Sequence, residues 1–351
     1  MRDLLELTAE LVDIPSVSFE EAQIVSRIEE ELSSIPHLSL DRVGDNLIAR
    51  TTFGKEQRLV LAGHTDTVPG NTELGSRIEG DTCWGLGSAD MKGGIAVMLE
   101  LARSVSEYAV DATWVFYARE EVASEHNGLR EVFIEAPELL SGDAAILGEP
   151  TGALIEAGCQ GTMRFLLTLK GVRAHSARPW MGRNAVHRLS GVLDALEKYE
   201  FREPVIDGCK FREAMQVVGV EGGVAGNVIP DSATLLINHR HAPDRDSAQA
   251  ENHVREFLSP FMESDDSVEL VDRAPAASPG LDHPLLASVG AEIETRAKLG
   301  WTDVAFFAEQ GIPAINFGPG DATLAHTSDE RIERENLNVT FKTIKKVLED
   351  S

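Results

Sequence analysis

The chain has 351 residues, 42% of them apolar and 26% charged, a globular composition with room for two domains. Lys and Arg number 32 against 58 Asp and Glu, a formal net charge of −26 that repels nucleic acid and anionic membranes and excludes both as expected partners. No apolar run approaches membrane-spanning length, and the start MRDLLELTAELVDI is charged from its second residue, so an amphipathic helix and a cytoplasmic location are expected.

In chain order, Leu4, Leu5, Leu11 and Val12 share one helical face. Ser18-Phe-Glu-Glu21 has capping-box spacing and predicts a second helix carrying Ala22, Val25, Ile28 and Leu32. Segments 38–43 and 46–52 flank Gly44-Asp45 and predict a hairpin. Then come short apolar runs, RLVLA (58–62), TWVFYA (113–118) and AAIL (144–147), with helical patterns near 93–106 and 128–140. Strands alternating with helices imply an α/β fold with a doubly wound, mostly parallel sheet.

Residues 162–280 have another texture. TMRFLLTLKG alternates as a long strand, 183–199 is helical, AMQVVGVEG and ATLLINHRHA are two more strands, and 246–262 is a helix. The order β-α-β-β-α-β predicts an α+β sandwich inserted into the first domain. The expected division is 1–161 with 281–351 as one domain and 162–280 as the insertion. Helices at 284–299 and 302–310 and the strand AINF (314–317) would rejoin the parent sheet. Cys83, Cys159 and Cys209 are odd in number and widely spaced, which fits reduced thiols.

Open α/β sheets bind ligands at the carboxyl ends of their strands, so the residues after each apolar run are informative. His64 and Asp66 follow the first run, Glu120 and Glu121 the second, Glu149 the third, and His326 follows AINFGPGDATLA. Asp90 lies in a glycine-rich loop just before a helix. Taken singly, such a carboxylate caps a helix and such a histidine is structural. Together they form a crowd of carboxylates that needs cations, and imidazole with carboxylate suits Zn²⁺ and related ions. Five ligands suit two metals that share one carboxylate. GLGSAD lacks the third glycine of a dinucleotide fingerprint. His239-Arg-His241 has the same i, i+2 spacing, but sits at the polar exit of an antiparallel strand, which predicts a surface or interface role. His37, His126, His187, His253 and His283 do not cluster in the sequence and are expected to be structural.

AGHTDTVP, GLGSADMKGG, the Glu120-Glu121 pair, LGEPT and LAHTSDE resemble, in order and spacing, the di-zinc deacylase and exopeptidase family. The likeness covers nearly the whole chain, and GVRAHSARPWMGRNAVH is similar to that family's dimerisation-domain motif. The resemblance implies a zinc-exopeptidase-like catalytic domain, a homodimer formed through the insertion, and amide hydrolysis. It implies that His64 and Glu149 hold one zinc ion, Glu121 and His326 the other, and that Asp90 bridges them, with Co or Mn as substitutes. Asp66 would orient the His64 ring and Glu120 would act as general base. His175 would reach a neighbouring subunit's oxyanion, and Asn227 would act across the same interface. Arg240 would grip a substrate carboxylate, while Thr162, Thr302 and Gly318 sit where substrate contacts are expected.

Within the family, CQGTMRF, GGVAGNVIP and GWTDVAFFAEQGIPAINFGPGD look most like succinyl-diaminopimelate desuccinylases of the actinobacterial type. That implies N-succinyl-LL-2,6-diaminopimelate as a small-molecule substrate, with succinate and LL-2,6-diaminopimelate as products. Proteobacterial members carry a basic pair where this chain has Cys159-Gln160, which leaves a second carboxylate anchor open. The alternatives are another amino-acid deacylase, such as an acetylornithine deacetylase, and a non-catalytic metal-dependent binding protein.

Overall fold

A computed structural model describes residues 2–70, 75–290 and 293–350. The chain divides into two compact units, one of Met1–Gly158, Pro279–Arg296 and Phe306–Ser351, the other of Cys159–Ser278 and Ala297–Ala305. The short segment 297–305 joins the smaller unit, where the Trp301 indole N–H donates to the Pro275 carbonyl at 3.0 Å. Among the described residues no helix is long and apolar enough to cross a membrane.

The larger unit is built on an eight-stranded sheet. Its order is Ser39–Val43, Asn46–Arg50, Asp111–Tyr117, Arg58–His64, Ala144–Leu147, Ala314–Asn316, Ile155–Ala157 and Thr295–Ala297. The four strands from Asp111–Tyr117 to Ala314–Asn316 run parallel, while Ser39–Val43, Asn46–Arg50 and Ile155–Ala157 pair antiparallel with their neighbours. The central strands are buried along their length (Leu59 to Ala62, Ala112 to Tyr117), as strands covered on both faces must be. Helix Gly93–Ser104 is buried over ten of its twelve residues, so its propensity matters less than its packing.

The smaller unit carries a four-stranded antiparallel sheet in the order Ala214–Gly222, Ser232–His241, Gly161–Lys170, Ser267–Ala274. Met163, Phe165, Leu167 and Leu169 alternate inward against Leu189 and Val192 of helix Ala185–Glu197 and Val254 and Leu258 of helix Ser247–Leu258. Asn184 caps the first of these helices by accepting from the N–H groups of Val186 and His187.

Three local expectations fail. Helix Ala22–Ser33 has no side-chain cap at Glu21, because Ser18 donates to Asp66 and Glu21 accepts from the Arg119 N–H. The expected helix 284–299 ends as Pro284–Gly290, and Thr295–Ala297 instead forms the last strand of the large sheet. His239 and His241 are fully buried within the smaller unit, His239 against His253, and hold no surface position.

Candidate metal centre

The parallel strands end at one edge. His64 pairs with Tyr117 in the ladder, so Glu120 and Glu121 leave the sheet one strand away. On the other side the Gly148 N–H donates to the Ala62 carbonyl at 2.9 Å, which sets Glu149 beside the same edge, buried. Asp90 arrives from above the sheet, in the turn Ser88–Lys92, where its φ of −124° and ψ of 93° interrupt the helical ladder; the Asp90–Met91 peptide is cis.

His326 comes from the loop after Ala314–Asn316. A Cβ on Gly318 would collide with the carbonyl oxygens of Gly148 and Glu149, and one on Gly320 with that of Ala89. Only glycines let this loop lie on the main chain of two other ligand-bearing loops. Both main-chain groups of Gly318 are engaged: its N–H donates to Thr151 Oγ1 at 3.0 Å, and its carbonyl accepts from that hydroxyl at 3.0 Å.

The side chains converge on Asp90. Its Oδ1 lies 3.0 Å from His64 Nε2 and its Oδ2 lies 3.5 Å from His326 Nε2, one oxygen toward each imidazole. His326 Nε2 is also 2.8 Å from Glu121 Oε1. His64, Asp90 and Glu121 offer ligand atoms within 4.8 Å of one another. Beside His326 lies a cavity of about 540 Å³ lined by Val68, Pro69, Arg77, Trp84 and Leu86, room for a small acyl or amino-acid arm.

Electrostatics fit a cation site. Burial lowers the His64 pKa, but contacts with Asp66 and Asp90 outweigh it and raise the pKa well above its ordinary value. The hydrogen bond to Asp90 raises His326 to about 9. Burial raises Asp90, yet the two imidazoles dominate and hold it below the usual carboxylate range. Burial raises Glu121. Imidazoles that hold protons only because carboxylates surround them form a site that exchanges protons for a cation. Two imidazoles, the strand-end carboxylates of Glu121 and Glu149, and Asp90 from its turn match the donor set of zinc and related divalent ions.

Asp66, fully buried, organises more than a ring. His64 Nδ1 donates to its main-chain carbonyl at 3.1 Å and lies 3.4 Å from its Oδ1. The same carboxylate accepts from the N–H of Glu120 at 3.0 Å, from that of Glu121 at 3.1 Å, and from the Ser18 hydroxyl at 2.7 Å. Ser18, Glu21 and Glu330 were not among the residues expected from the sequence. Glu21 accepts from the Arg119 N–H at 3.1 Å, next to Glu120, and Glu330 from the N–H of Asp90 at 3.1 Å. Ser18 and Glu21 carried a signal, but it read as a helix cap.

The smaller unit holds the other candidates. His175 pairs with Val228 across a short antiparallel ladder, and the Ser176 N–H donates to the Asn227 carbonyl at 2.9 Å, so His175 and Asn227 sit together, both exposed. The Ala177 N–H donates to His175 Nδ1 at 3.0 Å, which leaves the hydrogen of the neutral ring on Nε2. Arg240 and Thr162 are cross-strand partners, and Asn238 donates to Thr162 Oγ1 at 3.0 Å. Arg240 alternates to the face opposite the helices, and among the described residues no acid pairs with it. Cys159 and Gln160 are buried, as is Thr302, whose carbonyl accepts from the Cys159 thiol at 3.7 Å.

Comparison with known proteins places the whole chain in a family. A protein of Mycobacterium tuberculosis, provisionally named succinyl-diaminopimelate desuccinylase, is 48% identical over 351 residues, covering 99% of this chain and 98% of its own. The succinyl-diaminopimelate desuccinylase of Corynebacterium glutamicum is 44% identical over 359 residues, covering 99% and 96%. Among solved structures, a tripeptidase of Staphylococcus aureus superposes with a TM-score of 0.79 at 20% identity, covering 99% of this chain and 97% of that one. The family described as Peptidase family M20/M25/M40 matches residues 60–350. The chain belongs to peptidase family M20/M25/M40.

Proposed function

We propose that this chain hydrolyses the amide of N-succinyl-LL-2,6-diaminopimelate, releasing succinate and LL-2,6-diaminopimelate, a step toward lysine and diaminopimelate. The observation that carries this reading is Asp90 held between His64 and His326 at the strand ends, in a chain 44% identical to a named desuccinylase over nearly its full length. His64 and Glu149 would hold one divalent ion, Glu121 and His326 a second, with Asp90 shared and zinc the resident metal (cobalt or manganese as substitutes). Ions bound there supply Lewis acidity toward an amide carbonyl and an attacking water.

The chain's own residues do the rest. Glu120 accepts the proton of the attacking water and returns it to the leaving amine. Asp66 keeps Glu120 and Glu121 in place through their main-chain N–H groups, and keeps His64 Nε2 facing the ligand cluster. His175 presents its Nε2–H as an oxyanion donor, and Asn227 stands next to it. Arg240, charged and without an acidic partner among the described residues, binds a substrate carboxylate. Thr162, the cross-strand neighbour of Arg240, and Thr302 are assigned as further substrate contacts, and Gly318 keeps the Glu149 and His326 loops in contact.

His175 and Asn227 are assigned to the substrate of a second subunit. Support for a homodimer comes from the edge strand Ala214–Gly222, with Val218 and Val220 exposed, and from Val186 and Leu193 exposed on helix Ala185–Glu197. The three buried free thiols support a cytoplasmic enzyme. The test is turnover of succinyl-diaminopimelate against acetylornithine on one metal-loaded preparation. Preference for the acetyl amide would assign the chain to a different deacylase, and no turnover of either, with metal bound, would favour a binding protein.

A further inference from the structure

We propose that Glu330 is a positioning residue for Asp90, clasping the main chain of the Asp90 turn and tying it to the loop that delivers His326. This rests on the reading of Asp90 as the carboxylate shared by two divalent ions. Ala89 and Asp90 stand in the first turn after Gly87, which offers no side-chain cap, so their N–H groups need an acceptor from elsewhere. Glu330 Oε1 supplies it, accepting from Ala89 at 3.0 Å and from Asp90 at 3.1 Å. Ala89 is fully buried and Glu330 is 3% exposed, so water does not substitute for this contact. An ionised acceptor makes such bonds stronger than a neutral one.

The main chain of Glu330 completes the tie. Its N–H donates to the Thr327 carbonyl at 3.3 Å, one residue past His326, and its carbonyl accepts from the Gly85 N–H at 3.1 Å, just before the Asp90 turn. From Arg331 the chain continues as a strand paired with Thr82–Trp84. One residue therefore sets the spacing between the shared carboxylate and the second imidazole. Asp66 repeats the device, since its carboxylate accepts from the consecutive N–H groups of Glu120 and Glu121, of which the second is a candidate ligand. In both places a buried carboxylate grips two successive amides beneath a ligand and leaves the ligand's own oxygens to the cation.

The test uses cobalt(II) titrated into the full chain, followed by chelator competition and by the visible d–d bands. Glu330→Ala removes the acceptor and Glu330→Asp withdraws it by one methylene. Each is expected to lower cobalt affinity about 10–100-fold and to shift the bands, with kcat falling and KM nearly unchanged. Glu330→Gln keeps an acceptor oxygen in place, though a neutral one, and should lose clearly less than Ala or Asp in all three readouts. Folded Ala and Asp variants with the parent's spectrum and affinity would overturn the proposal. If the Ala variant fails to fold, the Asp and Gln variants decide, and identical behaviour of those two overturns it. A parent chain that binds fewer than two cobalt ions removes the shared-ligand reading beneath it. Failure to turn over succinyl-diaminopimelate with two ions bound touches the assigned substrate and leaves the Glu330 result standing.

Discussion

Two segments of this chain set ionisable side chains two residues apart at the end of a strand, and the fold treats them in opposite ways. At His64-Thr65-Asp66 the ring meets two carboxylates, and its proton is held well above the ordinary pKa. At His239-Arg240-His241 the rings turn inward, His239 against His253 of helix Ser247–Leu258, each Nδ1 donates to a main-chain carbonyl, and neither Nε2 has a hydrogen-bond partner among the described residues. Burial pushes His239 down to about 4 and lowers His241 as well. Spacing puts both members of each pair on one face. What that face meets decides whether an imidazole becomes a ligand or part of a core.

The sharpest way to break this comparison is at the strand-end site. Glu120→Ala should keep both metals and lose about 10²–10⁴-fold in kcat, the usual contribution of a general acid–base group. Glu121→Ala should lose metal as well. Metal analysis beside kinetics separates the two, and near-parent turnover in Glu120→Ala would remove it from the mechanism. Next in size is Arg240, the residue between the two buried histidines that faces the other way. Arg240→Ala should weaken binding by roughly 1.5–3 kcal/mol, about 10–150-fold, for substrates carrying the recognised carboxylate. Amidated analogues should lose little, and Arg240→Lys should recover only part of the loss because it lacks the planar fork. Equal losses on both kinds of substrate would assign Arg240 to the fold.

Asp66→Asn keeps the shape of the His64 partner and removes its charge, which brings the first segment closer to the second. Metal affinity should fall about 10–100-fold, with a shift in the cobalt spectrum as the check. The other segment is tested through stability rather than turnover, at His239. Its folded pKa of about 4 lies below the ordinary 6.5, so the unfolded chain takes up a proton that the fold refuses. Stability from this residue is fully present above pH 6.5 and is lost as pH falls toward 4, on the order of 2–3 kcal/mol. Denaturant unfolding at pH about 7.5 and about 4.5, with His239→Leu flattening the difference, measures it. A parent chain with equal stability at both values would contradict the assignment.

Much of the site was legible before any coordinates. Buried parallel strands read as apolar runs, and the residues just past them lie at one edge wherever such a sheet forms, so His64 and Glu121 were expected side by side from local pattern and a general rule, while Asp90 and His326, farther from any strand, rested on the spacing of whole motifs. Alternation in TMRFLLTLKG likewise predicted which face of the smaller sheet is buried, because its period of two is set by the backbone alone.

Long-range contact decided the remainder. Ser18 and Glu21 have the spacing of a helix cap, a local preference of about 0.5–2 kcal/mol, yet they bond to Asp66 and to the Arg119 N–H. Residues 295–297 lie in a stretch patterned as helix, but they complete the edge of a sheet whose other strands come from far along the chain. Glu330 stands within a motif already tied to His326, and nothing in its neighbours says that it reaches the amides of Ala89 and Asp90. Local pattern specifies direction and period along one element. The partner of a buried carboxylate is chosen by which unsatisfied amides the folded chain brings within 3 Å or so of it, and that choice exists only once the distant loops have met.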